Sequence, residues 1–330
     1  MTSQDIEISV VVPVYNEAPN IGPLCDRLAP VLERIGGAWE IVFIDDGSED
    51  GTTAAIRARH AADARIGAVA FSRNFGKEIA IAAGLDHARG RAVVIMDADL
   101  QHPPEAIETF VQRWREGYTM VYGQRTGREG EGPIKRSLTR AFYRLFDRFG
   151  ETRLPEGAGD FRLIDRKGVE VLRSLGERAR FSKGLYAWIG FRAIGVPFGV
   201  EERLHGTTKW SLRKLFRFAF DGITAFSTMP LRVWTYLGLL ISLGAIATAV
   251  FFLVRTLLFG TDLPGFPSLI VSVMFLSGMQ LMSLGIIGEY VGRIFAEVKR
   301  RPLYIVEERI GAPAQGTDAL VRDDRRTART

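Results

Sequence analysis

Cysteine is nearly absent from this chain of 330 residues, in which Cys25 is the only one. A single thiol cannot form an internal disulfide framework, so the sequence fits a reducing compartment. Histidine is scarce as well, and the four histidines and Cys25 show no zinc-binding spacing. One of them, His102, stands beside an acidic loop, and we expect it to be a solvent-facing loop residue rather than a ligand.

The usual glycine-rich phosphate-binding loops are also missing. No Gly-x-Gly-x-x-Gly follows the first apolar strand, and no Walker-type loop with its lysine occurs. The first residues contain neither a basic segment nor a long apolar one, so we expect no secretory signal. A net charge of +5 permits anionic partners such as nucleotides or lipid headgroups without choosing among them.

Charged residues are missing from two long stretches of the last third, 233–254 and 263–288. Each is longer than the roughly 20 apolar residues that cross a bilayer core. The alternative is a pair of buried core helices, which two such stretches in succession disfavour. We therefore predict a transmembrane hairpin within 231–290, with helices at about 233–256 and 266–288. Basic residues flank the hairpin on both outer sides, which predicts that the N-terminal region and both termini are cytoplasmic.

The segments on either side of the hairpin have their own patterns. Residues 211–230 place leucines and phenylalanines at helical spacing, with Arg213, Lys214 and Arg217 on other faces. This favours an amphipathic helix in the headgroup layer, although a packing helix of the soluble domain has the same pattern. We predict a juxtamembrane helix or strand for 291–306 and a disordered tail for 307–330.

Apolar strands alternate with helical segments in the N-terminal region, residues 1–210. The predicted strands cover 8–14, 40–44, 66–71 and 92–96. This alternation predicts an α/β domain with a Rossmann-like, mostly parallel, twisted sheet that is covered on both faces.

Acidic residues follow three of these strands. Glu17 follows the first, Asp45 and Asp46 end the second, and Asp97 and Asp99 follow the fourth. Ligands of such sheets bind at the carboxyl ends of the strands. Because clustered carboxylates repel unless a cation neutralises them, the pattern predicts Mg²⁺ or Mn²⁺ bridging carboxylates and a diphosphate. The alternative is a polar loop that is acidic by chance, since Asp-x-Asp alone is a weak signal.

Several segments, taken in order, resemble a known family. VVPVYNEAPNI, DDGSEDGT, NFGKEIAIAAGLDHARG and MDADLQHPPE are similar to family 2 glycosyltransferases, which have the GT-A fold. The later segments GDFRLIDRK, RFSKGLYAWIGF, HGTTKWSLRKL and GEYVGRIFAEVKRRPLYIV resemble the polyprenyl-phosphate glycosyltransferases, the group of bactoprenol glucosyltransferase and dolichol-phosphate mannose synthase. The resemblance covers about residues 8–306, the hairpin included.

This resemblance implies roles for individual residues. The implied nucleotide-sugar contacts are Pro13, Tyr15, Glu17, Asp46, Asp97 and Asp99. The implied metal ligands are Asp97, Asp99 and Gln101, the contacts to a lipid phosphate are Arg125, Arg136 and Lys209, and the catalytic residues are Asp160 and Asp99. Solvated loop charges remain the alternative for Arg125 and Arg136, and a helix cap remains the alternative for Asp160.

The implied activity is that of a membrane-bound inverting glycosyltransferase. It would move a hexose, glucose from UDP-glucose in first place and mannose from GDP-mannose in second, onto polyprenyl (undecaprenyl) phosphate at the cytoplasmic face of the inner (plasma) membrane. The product, polyprenyl-phosphate-sugar, would serve later transfer to cell-envelope glycans. A phosphate monoester is already an anion near neutral pH, with a second pKa of about 6, so we expect Asp160 to orient the acceptor or stabilise the sugar cation more than to remove a proton.

Further binding partners are expected, and two other classes of protein are alternatives to this activity. We expect contacts with membrane lipids, a homo-oligomer with a tetramer among the allowed states, and a small membrane flippase, but no nucleic acid. A processive polysaccharide synthase would need more spans and a Gln-x-x-Arg-Trp segment, which this sequence lacks. A non-catalytic membrane scaffold would have no use for acidic residues at three strand ends.

Overall fold

A computed structural model gives the structure of this chain and describes residues 6–126, 158–178, 180, 182–199, 229–259 and 265–311. Two of the residues expected to bind a lipid phosphate, Arg136 and Lys209, lie outside the described residues. The same holds for most of the predicted interface helix, up to residue 228. Arg125 lies in a strand, but its side chain is not among those described.

Strands and helices alternate through the first part of the chain, as the sequence predicts. The strands are β1 (Ile8–Val14), β2 (Trp39–Asp45), β3 (Ile66–Phe71), β4 (Ala92–Ile95), β5 (Met120–Thr126), β6 (Ala158–Asp165), β7 (Ala193–Gly199) and β8 (Val306–Ile310). The helices are α1 (Ala18–Ile35), α2 (Thr52–Ala62), α3 (Lys77–His87), α4 (Ala106–Arg115), α5 (Arg166–Ser174), α6 (Ser182–Trp188), α7 (Met229–Phe259) and α8 (Phe266–Val298).

The described strands form one sheet in the order β7-β5-β6-β4-β1-β2-β3-β8. Neighbours pair in parallel from β4 through β1 and β2 to β3, and β5 also pairs in parallel with β7. The central strands are almost continuously apolar and buried, as expected of a sheet covered on both faces. The prediction of an α/β fold is confirmed, in a mixed sheet in which four pairings are parallel and three, β3 with β8 and β6 with both β4 and β5, are antiparallel. Strands β4, β1 and β2, whose ends carry the acidic residues, are direct neighbours.

Strand β6 runs antiparallel to β4, which the sequence analysis does not foresee. The pairing matches Val94 with Leu163 and Ile95 with Arg162. Continuing this register by two residues brings Asp97, just beyond the end of β4, opposite Asp160 at the start of β6. Two residues that are far apart in the sequence are therefore set side by side by strand pairing.

The prediction of a disordered tail from residue 307 is wrong for the residues up to Gly311. Residues Val306–Ile310 form β8, which pairs antiparallel with β3 and brings Ile310 into the buried core. Exposed and more buried side chains alternate along this strand, and its two apolar residues, Val306 and Ile310, stand at its ends. The composition of this segment does not indicate a strand, because the segment is short and mostly charged.

The described residues fall into two compact units, one within Met1–Leu215 and Arg301–Thr330 and the other within Phe216–Arg300. The second unit contains α7 and α8, whose apolar side chains are largely exposed. Both helices are long and apolar enough to cross a membrane, over Val233–Phe252 and Ser272–Val298. Helix α8 continues beyond residue 288, where the predicted second span ends, as far as Val298.

Candidate active site

The loops after β1 and β2 are tied to each other by hydrogen bonds. The Asn16 backbone N–H donates to Ser48 Oγ at 2.9 Å, and the Glu49 N–H donates to Asn16 Oδ1 at 2.9 Å. The Glu17 N–H donates to Thr52 Oγ1 at 2.9 Å. Asn16 adopts a left-handed backbone conformation with φ of 55°, which asparagine tolerates better than most residues. These bonds fix the position at which Tyr15 and Glu17 follow the first strand.

A cavity of about 310 Å³ opens beside these loops, at the carboxyl ends of β1, β2 and β3. Tyr15, Ser48, Arg73 and Glu307 are among the residues that line it, and Tyr15 is 38% exposed. Gly47 is required here, because its φ is 72° and a Cβ would lie 2.5 Å from the backbone carbon of Arg73. The size and position of the cavity suit part of a nucleotide.

The carboxylates of Asp45 and Asp46, at the end of β2, accept hydrogen bonds from other groups of the protein. Asp46 is 3% exposed, and its two carboxylate oxygens accept hydrogen bonds from the Phe75 N–H at 2.6 Å and the Gly76 N–H at 2.9 Å. Burial raises the pKa of Asp46, against the lowering effect of these two bonds. Asp45 accepts hydrogen bonds from the Ser48 N–H and the Thr53 hydroxyl. Both carboxylates therefore accept hydrogen bonds from neighbouring parts of the protein.

Asp97 and Asp160 are joined by a lysine that the sequence analysis overlooks. Lys77 Nζ lies 2.6 Å from Asp97 Oδ1 and 3.0 Å from Asp160 Oδ2. The Lys77 side chain is 43% exposed, whereas that of Asp160 is 17% exposed. The sequence analysis names Mg²⁺ or Mn²⁺ as the neutralising cation for the carboxylates at the strand ends; between Asp97 and Asp160 the ammonium group of Lys77 also supplies compensating charge.

The protonation states follow from this arrangement. Burial by itself would raise the pKa of Asp160, but the Lys77 ammonium, assisted by Lys183 and Arg162, outweighs burial and lowers the pKa well below its ordinary value. Burial would lower the pKa of Lys77, but Asp97 and Asp160 outweigh it and raise the pKa. Asp160 is therefore a carboxylate and Lys77 a cation at neutral pH.

A group of buried and half-buried polar side chains lies next to Asp160. The carboxylate of Glu78 accepts hydrogen bonds from the Ser182 N–H, at 2.9 Å, and from the Ser182 hydroxyl. The Arg162 guanidinium is buried, lies 3.6 Å from the centre of the Tyr186 ring and donates to the Gly159 carbonyl at 2.5 Å. Burial lowers the pKa of Arg162, although Tyr186, Asp160 and Glu78 act in the opposite direction and raise it. These contacts fix the start of β6, from which Asp160 projects.

The chain bends sharply at Asp99. The Gln101 N–H donates to Asp99 Oδ1 at 3.2 Å, and the intervening Leu100 has φ of 57°. Asp97, Asp99 and Gln101 offer oxygen atoms, the donors that Mg²⁺ and Mn²⁺ prefer. No group of three His, Cys, Asp or Glu side chains converges among the described residues. The donor set therefore fits a cation held by one or two carboxylates and completed by substrate phosphates, which is how Mg²⁺ is commonly bound.

His102 contradicts the expectation of a solvent-facing residue. It is 2% exposed, and its ring stacks on Phe161 with centroids 4.9 Å apart. Phe198 contacts the same ring edge-on. The loop after β4 folds back onto the core, so the imidazole packs between aromatic rings. His102 is part of the support of this loop.

Of the overlooked residues Lys77, Glu78 and Ser182, only Lys77 could have been found from the sequence, in two ways. Lys77 lies at the start of α3, just after β3, so the strand-end rule that identifies Asp97 applies to it as well. It also stands within NFGKEIAIAAGLDHARG, one of the segments of the resemblance. Glu78 and Ser182 are linked by tertiary contact alone, and no local pattern indicates it.

Comparison with known proteins agrees with this architecture. A family model described as glycosyl transferase family 2 matches residues 9–173. The chain belongs to this family and is a glycosyltransferase, and the sheet described above is that of the expected GT-A fold.

Curated relatives match almost the whole chain. An uncharacterised glycosyltransferase of Synechocystis sp. is 49% identical over 92% of this chain and 95% of its own length. A prophage-derived bactoprenol glucosyl transferase of Shigella flexneri is 42% identical over 92% of this chain and 98% of its own length. A prophage bactoprenol glucosyl transferase homologue of Escherichia coli is 41% identical over 92% of this chain and 99% of its own.

Solved structures are more distant. Mannosyl-3-phosphoglycerate synthase from Rubrobacter xylanophilus is 22% identical over 67% of this chain and 72% of that chain, with a TM-score of 0.47. A mannosyltransferase from Pyrobaculum calidifontis, in complex with GDP-Man and Mn²⁺, is 20% identical over 89% of this chain and 88% of that chain, with a TM-score of 0.45.

Proposed function

We propose that this chain transfers glucose from UDP-glucose to a polyprenyl phosphate, with inversion at the anomeric carbon, at the cytoplasmic face of the inner membrane. The observation that carries the proposal is the identity of 41–42% to proteins named bactoprenol glucosyl transferases or a homologue of one, over 92% of this chain and at least 98% of theirs. The matched length includes the two apolar helices, which a transferase of soluble substrates would not need.

The proposed donor site uses the loops after β1, β2 and β4. Tyr15 borders the cavity that would receive the base and ribose, with Pro13 near the end of β1 and Glu17 on the loop that follows it. Asp46 would act by holding the loop before α3, since both of its oxygens accept bonds from that loop. Asp97, Asp99 and Gln101 would hold Mg²⁺ or Mn²⁺ together with the diphosphate. When bound, that cation would stabilise the negative charge of the departing nucleoside diphosphate.

The proposed acceptor site lies on the other side of Asp97. Asp160 is a carboxylate fixed by Lys77, and a carboxylate whose pKa is lowered is a poor general base. The lipid phosphate needs little deprotonation, since its second pKa is about 6. Asp160 would therefore stabilise positive charge on the sugar and orient the acceptor. Arg125, Arg136 and Lys209 would bind the lipid phosphate, for which guanidinium groups are well suited.

The apolar helices would place the reaction at the bilayer. Their hairpin would tether the catalytic unit to the membrane that contains the acceptor, which raises the effective concentration of the acceptor. Basic residues outside both helices favour cytoplasmic termini. A homo-oligomer in the membrane and a flippase that moves the product across it are further parts of the proposal.

A donor panel tests this function. Membranes containing the full chain receive undecaprenyl phosphate and either labelled UDP-glucose or labelled GDP-mannose, and the lipid fraction is extracted into organic solvent. We expect labelled lipid from UDP-glucose, and at least tenfold less from membranes containing the Asp160→Asn variant. Labelled lipid from GDP-mannose alone would assign the chain to mannose transfer, and label confined to a polymer would indicate a processive synthase.

A further inference from the structure

Lys77 stands between the two halves of the proposed reaction centre. It contacts Asp97, which the donor side would use, and Asp160, which the acceptor side would use. Strand pairing sets these carboxylates opposite each other, and like charges in such a position repel. A single ammonium group offsets one of the two negative charges. Lys183 and Arg162 add positive charge on the Asp160 side, so Asp97 is the carboxylate of the pair at which a second cation is favoured.

The position of Lys77 is fixed by contacts on both sides of it. The backbone N–H groups of Phe75 and Gly76 donate to Asp46, and the next side chain, Glu78, accepts from Ser182. Gly76 has φ of 101°, a conformation that lets the chain turn directly into α3. The backbone around Lys77 is thus fastened to β2 on one side and to α6 on the other.

The two carboxylates depend on Lys77 to different degrees. The second oxygen of Asp160, Oδ1, is buried and accepts no hydrogen bond from any described residue. Asp97 is more accessible, with a side-chain exposure of 28%. An incoming cation can therefore reach Asp97 more readily than Asp160. Removal of Lys77 would leave the more buried carboxylate, Asp160, without its ion-pair partner.

We propose that Lys77 is a positioning residue that acts as an internal cation: it holds Asp97 and Asp160 together while the donor site is empty, and yields Asp97 to the divalent cation that arrives with the nucleotide sugar. This inference rests on the proposed function and adds a residue to it. It explains how the carboxylates coexist without bound metal. It also implies that Lys77 competes with the metal for Asp97, so that free metal binds weakly and the nucleotide diphosphate must add its own ligands.

The test measures Mn²⁺ binding to the full chain in detergent, without nucleotide, by the loss of the free-ion signal in electron paramagnetic resonance. Lys77→Met should bind Mn²⁺ about tenfold more tightly than the natural chain, the order expected for removing one unit charge a few ångströms from the ion. Lys167→Met removes the same charge from an exposed position on α5 and should leave the affinity within about twofold. Adding Asp97→Asn to Lys77→Met should abolish the gain.

The Mn²⁺-binding results can overturn the proposed role of Lys77 in several ways. Unchanged or weaker Mn²⁺ binding by Lys77→Met would overturn the proposal, as would a gain that survives Asp97→Asn. Thermal unfolding monitors the fold, and Lys77→Gln serves if the methionine variant does not fold. Failure of both neutral variants to fold would assign Lys77 to stability and overturn the positioning role. Because the measurement involves neither sugar nor lipid, its failure would leave the donor-panel test of glycosyl transfer unaffected.

Discussion

The ring of Tyr304 is stacked on the ring of Phe71, with centroids 4.9 Å apart and ring planes 21° apart. The Tyr304 hydroxyl also lies 3.2 Å from Asp86 Oδ2. Phe71 ends β3, and Tyr304 lies between the end of α8 and the start of β8. The segment that follows the second apolar helix is therefore part of the catalytic sheet, and its strand β8 covers the edge of β3, which would otherwise be open to unwanted pairing.

This stacking predicts a loss of stability when Tyr304 is truncated. Tyr304→Ala should lower the free energy of unfolding by about 3 kcal/mol, the magnitude for removing a buried aromatic side chain. Tyr304→Phe keeps the ring and loses the hydroxyl contact, so it should cost about 1 kcal/mol. Denaturant unfolding followed by tryptophan fluorescence measures both. Equal losses for the two variants would show that the hydroxyl, not the stacking, holds the segment.

Removal of the metal or its ligands should affect donor binding. If Asp97 and Asp99 bind the diphosphate through a divalent cation, chelation should weaken UDP binding at least tenfold, and the double change to alanine should make it insensitive to added Mn²⁺. Isothermal titration of UDP with and without Mn²⁺ measures this. UDP binding that is equally tight after chelation would contradict the metal-bridged donor site.

The pH dependence of turnover tests the role of Asp160. Its lowered pKa keeps the carboxylate ionised throughout the neutral range, and any stability that the ionised form contributes is lost only as the pH falls toward that low value. Asp160→Asn should therefore reduce turnover by a similar factor at every pH from about 6 to about 9, with the acid limb set by the lipid phosphate. A wild-type inflection in this range that disappears in Asp160→Asn would identify Asp160 as a titrating base.

Cys25 provides a probe of the folded state because it is the only thiol of the chain. It lies in the buried face of α1, and burial chiefly, opposed by Arg59, raises its pKa to about 11. At pH 8 roughly one molecule in a thousand carries the thiolate, which is the reactive form. We expect alkylation by iodoacetamide, followed by mass spectrometry, to be slow in the native protein and fast in denaturant. Rapid labelling of the native chain would show that α1 opens readily.

Local patterns were enough to predict the strands β1 to β4 and the sheet edge that carries the candidate site. Long apolar runs predict where these strands lie along the chain. The rule that ligands bind at the carboxyl ends of parallel strands then selects Asp97 and Asp99 as candidates from the sequence alone. The predicted bounds of β1 and β3 match the structure to the residue.

Tertiary pairing determines what the sequence analysis missed. Asp160 meets Asp97 because β6 runs antiparallel to β4, and the sequence contains no local signal for that direction. His102 is buried by rings from β6 and β7, which are remote in the chain. Lys77 reaches two carboxylates that come from different strands. Charge counting along the sequence found the negative side chains but not the cation that pairs with them.

The most direct measurement uses purified full chain in detergent with UDP-glucose, undecaprenyl phosphate and Mg²⁺ or Mn²⁺, and follows UDP release and the lipid product by mass spectrometry. The proposed function predicts one glucosylated lipid phosphate for each UDP released, with the β configuration that inversion of UDP-α-glucose produces. Release of UDP without any glucosylated lipid, in the presence of the acceptor and the metal, would contradict it.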